Sequence, residues 1–212
     1  MSGRVALPES THVHRFLAAT DTTGLPLVLL HGSDGGESDL MPLAGELAPG
    51  AAKLGIRGAV ATNEGYAFFR RFPDRRVDEE DIAARVPVLA EFIERCWGAY
   101  ELTRRPVAIG FSNGAIMAAA LLLTHPRLLA GAILFRPLSP FGQDPPTQLD
   151  GTPVLIIDGA NDSRRSPGDG LQLADRLRHA GALVTHQVLP VGHSITAEDS
   201  ATAHTWLQAL QL

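Results

Sequence analysis

The chain carries a single cysteine, Cys96, so no disulfide can form within it and no cysteine pair can hold a metal. Cys96 lies in EFIERCWGAY, where helical spacing puts it among packing residues; it is expected to be an inert, partly buried thiol. No uninterrupted apolar run approaches the ~18 residues of a membrane span. The opening MSGRVALPES lacks the apolar stretch of a secretory leader. A cytoplasmic protein without a membrane partner is therefore expected. Neither Gly-Lys-Ser/Thr nor Gly-x-Gly-x-x-Gly occurs, which argues against the two common phosphate-cradling loops. The net charge of −5 argues against a generic nucleic-acid surface. Repeats, low-complexity tracts and linker-like shifts are missing too, so residues 1–212 are expected to form one domain.

What is present is an alternation of apolar runs and helical patterns. LPLVLLHG (Leu25–Gly32) is a continuous apolar run ended by glycine, as expected for a strand buried on both faces. Further strands are expected near Ala52–Ile56, Val107–Phe111, Ala130–Phe135 and Val154–Asp158. Leu183–Leu189 alternates as an edge strand does, and His12–Leu17 is a candidate antiparallel strand at the start. Helices are expected over Asp39–Leu47, with Asp39 as a cap, and over Glu79–Trp97, Asn113–Thr124, Gly168–Ala180 and Thr196–Leu210. Pro87 should either kink the second of these or start it afresh. The whole reads as an α/β fold, a mostly parallel sheet with helices on both faces.

AIGFSNGA (Ala108–Ala115) places one serine between two glycines, at the junction of an expected strand and helix. Composition alone predicts about 0.1 chance occurrences of Gly-x-Ser-x-Gly, so the pattern gains its weight from that junction. A strand turning straight into a helix strains its turn residue and crowds the positions two either side. Glycine at 110 and 114 relieves the crowding and leaves the Ser112 hydroxyl projecting at the carboxyl end of the sheet, where ligands gather.

A serine hydroxyl needs a base, and the base an orienting acid; this architecture supplies them in the chain order Ser, Asp, His. IIDGANDSRRSP offers Asp162, in the loop beyond a strand, with Asp158 held in reserve. Four histidines follow Asp162. His179 ends a helix, His186 alternates within a strand and His204 lies inside the last helix, whereas His193 occupies the glycine-marked loop PVGHSI. The expected triad is Ser112, His193 and Asp162. The oxyanion donors are expected to be the N–H groups of Asn113 and of Ser33, the latter in HGSDGGESD, with His31 bracing that loop.

At this point the chain resembles the α/β-hydrolase superfamily, specifically the phospholipase/carboxylesterase family of small serine hydrolases. LVLLHGSDGGESDLMPLAGELAPGA is similar to the family's oxyanion-loop segment, AIGFSNGAIMAAALLL to its nucleophile elbow, LIIDGANDSRRSP to its acid loop and PVGHSI to its histidine loop. FFRRF (Phe68–Phe72) and ILFRPL (Ile133–Leu138) look closer still to a bacterial branch linked to ring-cleavage or to quinone and copper stress. The resemblance implies a single-domain α/β-hydrolase fold without a large lid, a carboxylic-ester hydrolase, no cofactor and a small-molecule ester substrate; a homodimer is compatible with it. The chain departs where the family often carries an Asp-Pro-hydrophobic-Val-Pro run at the acid and this sequence has NDSRRSP, and again at Pro87.

The segment Arg57–Asp78 carries Tyr66, Phe68, Phe69 and Phe72 with Arg70, Arg71, Arg75 and Arg76. It reads either as a packed loop whose arginines pair with Glu79, Glu80 and Asp81 or as an aromatic wall with a cationic rim for acidic or aromatic esters. On the second reading Phe68, Phe69 and Arg136 contact substrate, although Arg136 could equally pair with a carboxylate. Within the class, a thioesterase or lysophospholipase is the rival; outside it, a binding protein that kept the fold and lost catalysis.

Overall fold

The computed structural model describes residues 12–74 and 76–210; Arg75 lies outside the described residues. In chain order the elements are β1 (His14–Leu17), β2 (Leu27–Leu30), α1 (Met41–Leu47), β3 (Lys53–Ile56), β4 (Val60–Ala61), β5 (Tyr66–Ala67), α2 (Glu79–Ala99), β6 (Val107–Phe111), α3 (Asn113–Thr124), β7 (Gly131–Phe135), β8 (Pro153–Gly159), α4 (Asp169–His179), β9 (Leu183–Leu189) and α5 (Ala197–Leu210). Seven strands form one sheet in the order β1-β3-β2-β6-β7-β8-β9, and β4 with β5 forms a small separate ribbon. Within the seven-stranded sheet β1 alone runs antiparallel to its neighbour, pairing His14 with Ile56 and Leu17 with Lys53, and the β4–β5 ribbon is antiparallel too. The other neighbours in the seven-stranded sheet are parallel.

Successive side chains of a strand point to opposite faces, so an apolar run feeds two cores. Val28, Leu30, Ala108, Ala132, Leu134, Val154 and Ile156 face a core built with α2, α3 and α4. Leu27, Leu29, Val107, Ile109, Ile133, Phe135, Leu155 and Ile157 face the core shared with α1 and α5. Cys96 belongs to the first core, fully buried, and burial pushes its thiol up to about 12, well above the range of a reactive thiol.

Two local expectations need correction. Asp39 does not cap α1: the cap position is Leu40 and has no side-chain bond, while Asp39 accepts the Gly36 N–H at 3.0 Å. Pro87 does not start α2 afresh: the helix runs from Glu79 to Ala99 with Pro87 inside it. Pro87 is exposed, as is Ala83, whose carbonyl loses its helical donor and can take water instead. Meanwhile Ile82, Val86, Leu89 and Ile93 stay on the buried stripe. The start of that helix is well made, with the Asp78 carboxylate accepting the Asp81 N–H at 3.0 Å. Among the described residues no helix is long and apolar enough to cross a membrane.

The strand order fixes where a site can form. From β2 the chain moves outward to β3 and then returns to β6 on the other side, so the connections diverge between β2 and β6. Leu30 pairs with Gly110 there, which brings the segment after Leu30 beside the segment after Phe111. The loops after β8 and β9 leave the same edge.

Candidate active site

Ser112 occupies the single residue between β6 and α3, with φ 51° and ψ −106°. A side chain in that region is strained by roughly 1–3 kcal/mol, and the surroundings must hold it there. The packing explains why only glycine serves on either side. A Cβ on Gly110 would lie 2.6 Å from the Ala115 Cα, and one on Gly114 would lie 2.1 Å from the Leu30 carbonyl oxygen. The Ser112 N–H is fixed by the Phe135 carbonyl at 2.9 Å. Ser112 is 9% exposed, so its hydroxyl faces the cleft from a nearly buried residue.

His193 comes from the loop after β9. Its Nε2 lies 3.0 Å from Ser112 Oγ and its Nδ1 2.7 Å from Asp162 Oδ2. An ionised carboxylate only accepts, so Nδ1 carries the ring proton and Nε2 is left to accept from the serine hydroxyl. Burial would raise the Asp162 carboxyl, but hydrogen bonds from His193 and from the Arg164 N–H hold it below its usual value. Burial lowers the His193 imidazole, a shift that Asp162 opposes without cancelling. The imidazole is therefore neutral at neutral pH, as a base must be. Asp158, the reserve acid, faces elsewhere: it lies 2.7 Å from His186 Nε2.

The loop after β2 carries Ser33, whose N–H has no hydrogen-bond partner among the described residues. Asn113 is the first residue of α3, where an N–H has no intrahelical acceptor. Its side chain is engaged: Oδ1 accepts the Phe68 N–H at 2.7 Å and Nδ2 donates to the Phe69 carbonyl at 3.3 Å. His31 accepts the Gly58 N–H on Nε2 at 2.9 Å and so donates Nδ1–H to the Gly32 carbonyl at 2.6 Å, linking the loops after β2 and β3.

The three residues named as substrate contacts, Phe68, Phe69 and Arg136, are all buried. Phe68 and Phe69 are 2% and 1% exposed and pack into the core, which leaves almost none of either ring open to solvent. Apolar rings followed by a charged stretch simply go inward. Arg70 pairs with Asp81 at 2.9 Å, as the packed-loop alternative expects, whereas Arg76 pairs with Asp74 at 2.7 Å. Arg136 is fully buried. Its guanidinium meets Asp199 at 2.8 Å through both terminal nitrogens and donates to the carbonyls of Gly192 at 2.9 Å, Ile157 at 3.1 Å and Ser194 at 3.2 Å. It braces the two residues flanking His193 and is closed to a substrate. Asp199 was invisible as a partner in the sequence, where an acid in a first helical turn reads as a solvated cap.

One further side chain reaches the site. Arg165, three residues after Asp162, donates Nη2–H to Ser112 Oγ at 3.1 Å. The only sequence signal for it was the departure NDSRRSP itself. No group of three or more His, Cys, Asp or Glu that could hold a metal ion occurs among the described residues.

Comparison with known proteins gives the lineage. The Phospholipase/Carboxylesterase family model matches residues 62–211. A carboxylesterase from Bacillus cereus is similar in structure, with TM-score 0.91 and 36% identity over 95% of each chain. A carboxylesterase from Mesorhizobium loti gives TM-score 0.89 and 32% identity, covering 95% of this chain and 97% of that one. MhqD of Bacillus subtilis strain 168, a hydrolase by name only, is 35% identical over 181 residues, which span 85% of this chain and 90% of the relative. With its sheet, its elbow and these relatives, the chain belongs to the phospholipase/carboxylesterase family of α/β-fold hydrolases.

Proposed function

We propose that the protein hydrolyses small carboxylic esters by a two-step acyl transfer on Ser112. The observation that carries this reading is the continuous line of hydrogen bonds from Ser112 Oγ through His193, at 3.0 Å, to Asp162, at 2.7 Å. Ser112 Oγ attacks the ester carbonyl and its proton passes to His193 Nε2, while Asp162 holds the Nδ1–H tautomer and stabilises the imidazolium. The carbonyl oxygen gathers negative charge and is met by the N–H groups of Ser33 and Asn113. When the tetrahedral intermediate collapses, the ester C–O bond breaks and the alcohol leaves with the proton from Nε2. Water then attacks the acyl-serine, gives a proton to the same nitrogen and releases the acid as Ser112 recovers its hydrogen. Family membership and the similarity to two bacterial carboxylesterases support an ester as the substrate.

The test is direct. Wild-type protein should turn over 4-nitrophenyl acetate and take a fluorophosphonate label at Ser112. Ser112→Ala should lose both while unfolding at the same denaturant concentration as the wild type. Full turnover by that variant removes Ser112 from the chemistry; a protein that neither labels nor turns over any ester or thioester is a binder on this fold.

A further inference from the structure

A cation at the nucleophile is not needed for acyl transfer, yet Arg165 supplies one. Its guanidinium is anchored on one side by backbone carbonyls: Nε donates to Arg136 at 2.8 Å and to Pro137 at 3.2 Å, and Nη1 to Arg164 at 3.1 Å. Nη2 is thereby delivered to Ser112 Oγ. Among the described residues no carboxylate lies within ion-pair distance of Arg165, and one N–H on each terminal nitrogen keeps no partner. Burial and the neighbouring Arg71 lower its pKa to about 10, a shift that the charges of Asp162, Asp169 and Asp158 oppose from beyond ion-pair distance, so it remains charged at neutral pH. A partly desolvated cation of this kind is costly until an anion arrives.

The surroundings favour an anion from outside. A cavity of about 590 Å³ opens beside Arg165, with Arg71 and Arg164 also on its wall. Its lining carries five arginines, Arg71, Arg76, Arg164, Arg165 and Arg176, against three carboxylates, Asp74, Glu79 and Asp169, of which Asp74 is paired with Arg76 at 2.7 Å. A guanidinium presents planar, forked donors that match a carboxylate better than a neutral acceptor such as a serine hydroxyl.

We infer that Arg165 is a carboxylate-binding residue of the acyl pocket and that the preferred substrates are half-esters, whose acyl part ends in a free carboxylate. This rests on acyl transfer at Ser112 and adds the substrate class to it. An N–H···O bond of about 2.8 Å reaching from a nitrogen 3.1 Å from Ser112 Oγ puts that carboxylate within about 6 Å of the attacking oxygen. The span suits acyl chains of about four or five carbons, counted through the carboxylate. Arg165 takes no proton in the reaction; it places the acyl chain so that the carbonyl faces the serine.

The experiment compares mono-4-nitrophenyl glutarate with 4-nitrophenyl methyl glutarate, the same acyl chain with its carboxylate capped. The wild type should prefer the anionic ester at least tenfold in kcat/KM at low salt, with the preference shrinking as salt rises. In Arg165→Met the anionic-to-neutral ratio should fall tenfold or more, and Arg165→Lys should restore part of it. Calorimetry with free glutarate provides a readout independent of turnover: millimolar or tighter binding to wild type, weakened at least tenfold in Arg165→Gln. A wild-type ratio of one or below, or a ratio that Arg165→Met leaves unchanged, overturns the proposal. Should no ester be hydrolysed while glutarate binding still depends on Arg165, the anion site stands and acyl transfer fails. Absence of glutarate binding to an active wild type fails the anion site alone.

Discussion

The Arg136 guanidinium and the Asp199 carboxylate face each other across two hydrogen bonds of 2.8 Å, with both side chains wholly shut off from solvent. The pair joins the end of β7 to the first turn of α5, and the remaining guanidinium donors hold the backbone on either side of His193. The base of the proposed triad thus takes its position from an ion pair that never meets substrate.

Removing one partner of such a pair strands a buried charge. Arg136→Met is expected to lower the free energy of unfolding by about 3–5 kcal/mol. Arg136→Met with Asp199→Leu should recover much of that loss, because no unpaired charge remains, and yet should keep a reduced kcat with a smaller change in KM. Urea denaturation and steady-state kinetics on the three proteins check both parts. A single variant as stable as the wild type would contradict the assignment.

The acid limb of the pH profile follows from His193. Its folded-state pKa is lowered by burial, so the imidazole loses its proton below the ordinary value of 6.5. kcat/KM for a neutral ester should therefore rise with pH through an inflection below 6.5 and be flat by neutral pH. An inflection above 6.5 would mean that another group gates the reaction.

Stability should carry a separate acid signature from His12. That ring is buried against Phe92 and its pKa is lowered to about 4 by burial, then by Arg85 and Arg95. Between pH 6.5 and about 4 the unfolded chain binds a proton that the folded one refuses. Stability is thus retained above 6.5 and lost as pH falls, by up to about 3 kcal/mol once the whole interval is crossed. Denaturation midpoints of wild type and His12→Gln at pH 7 and pH 4.5 measure this: the variant's midpoint should fall less. Parallel pH dependence in the two proteins would rule out His12 as the source.

Asp162 and Asp158 should separate cleanly. Asp162→Asn keeps the shape but offers His193 Nδ1 the wrong partner, and kcat is expected to fall by about four powers of ten. Asp158→Asn touches the bond to His186, away from the serine, and should leave kcat within a few-fold of wild type. Ester hydrolysis assays decide; an equal loss in both would put Asp158 in the relay.

What the sequence made legible was whatever depends on neighbours in the chain. Val107–Phe111 and Asn113–Thr124 emerge with the expected bounds, because a short apolar run, a glycine-flanked serine and a long helix-forming stretch are local signals. The loops carrying Asp162 and His193 could be placed because each follows a strand in a parallel sheet, and all such loops leave one edge. Charge pairing is different in kind. Arg136 and Asp199 are 63 positions apart, and Arg165 lies 53 from Ser112. No periodicity encodes which cation turns inward to meet which acid. The burial of the Phe68 and Phe69 rings was left open for a similar reason: an aromatic beside arginines looks the same in sequence whether it faces the core or a cleft.

The two bonds from the Asn113 amide to the backbone of Phe68 and Phe69 have a consequence for engineering. They tie the arginine-bearing segment to the start of the helix that carries the serine, so that rim belongs to the frame and is not a hinged door. Attempts to admit bulkier molecules by loosening this side would also disturb the amide next to the proposed nucleophile, Ser112.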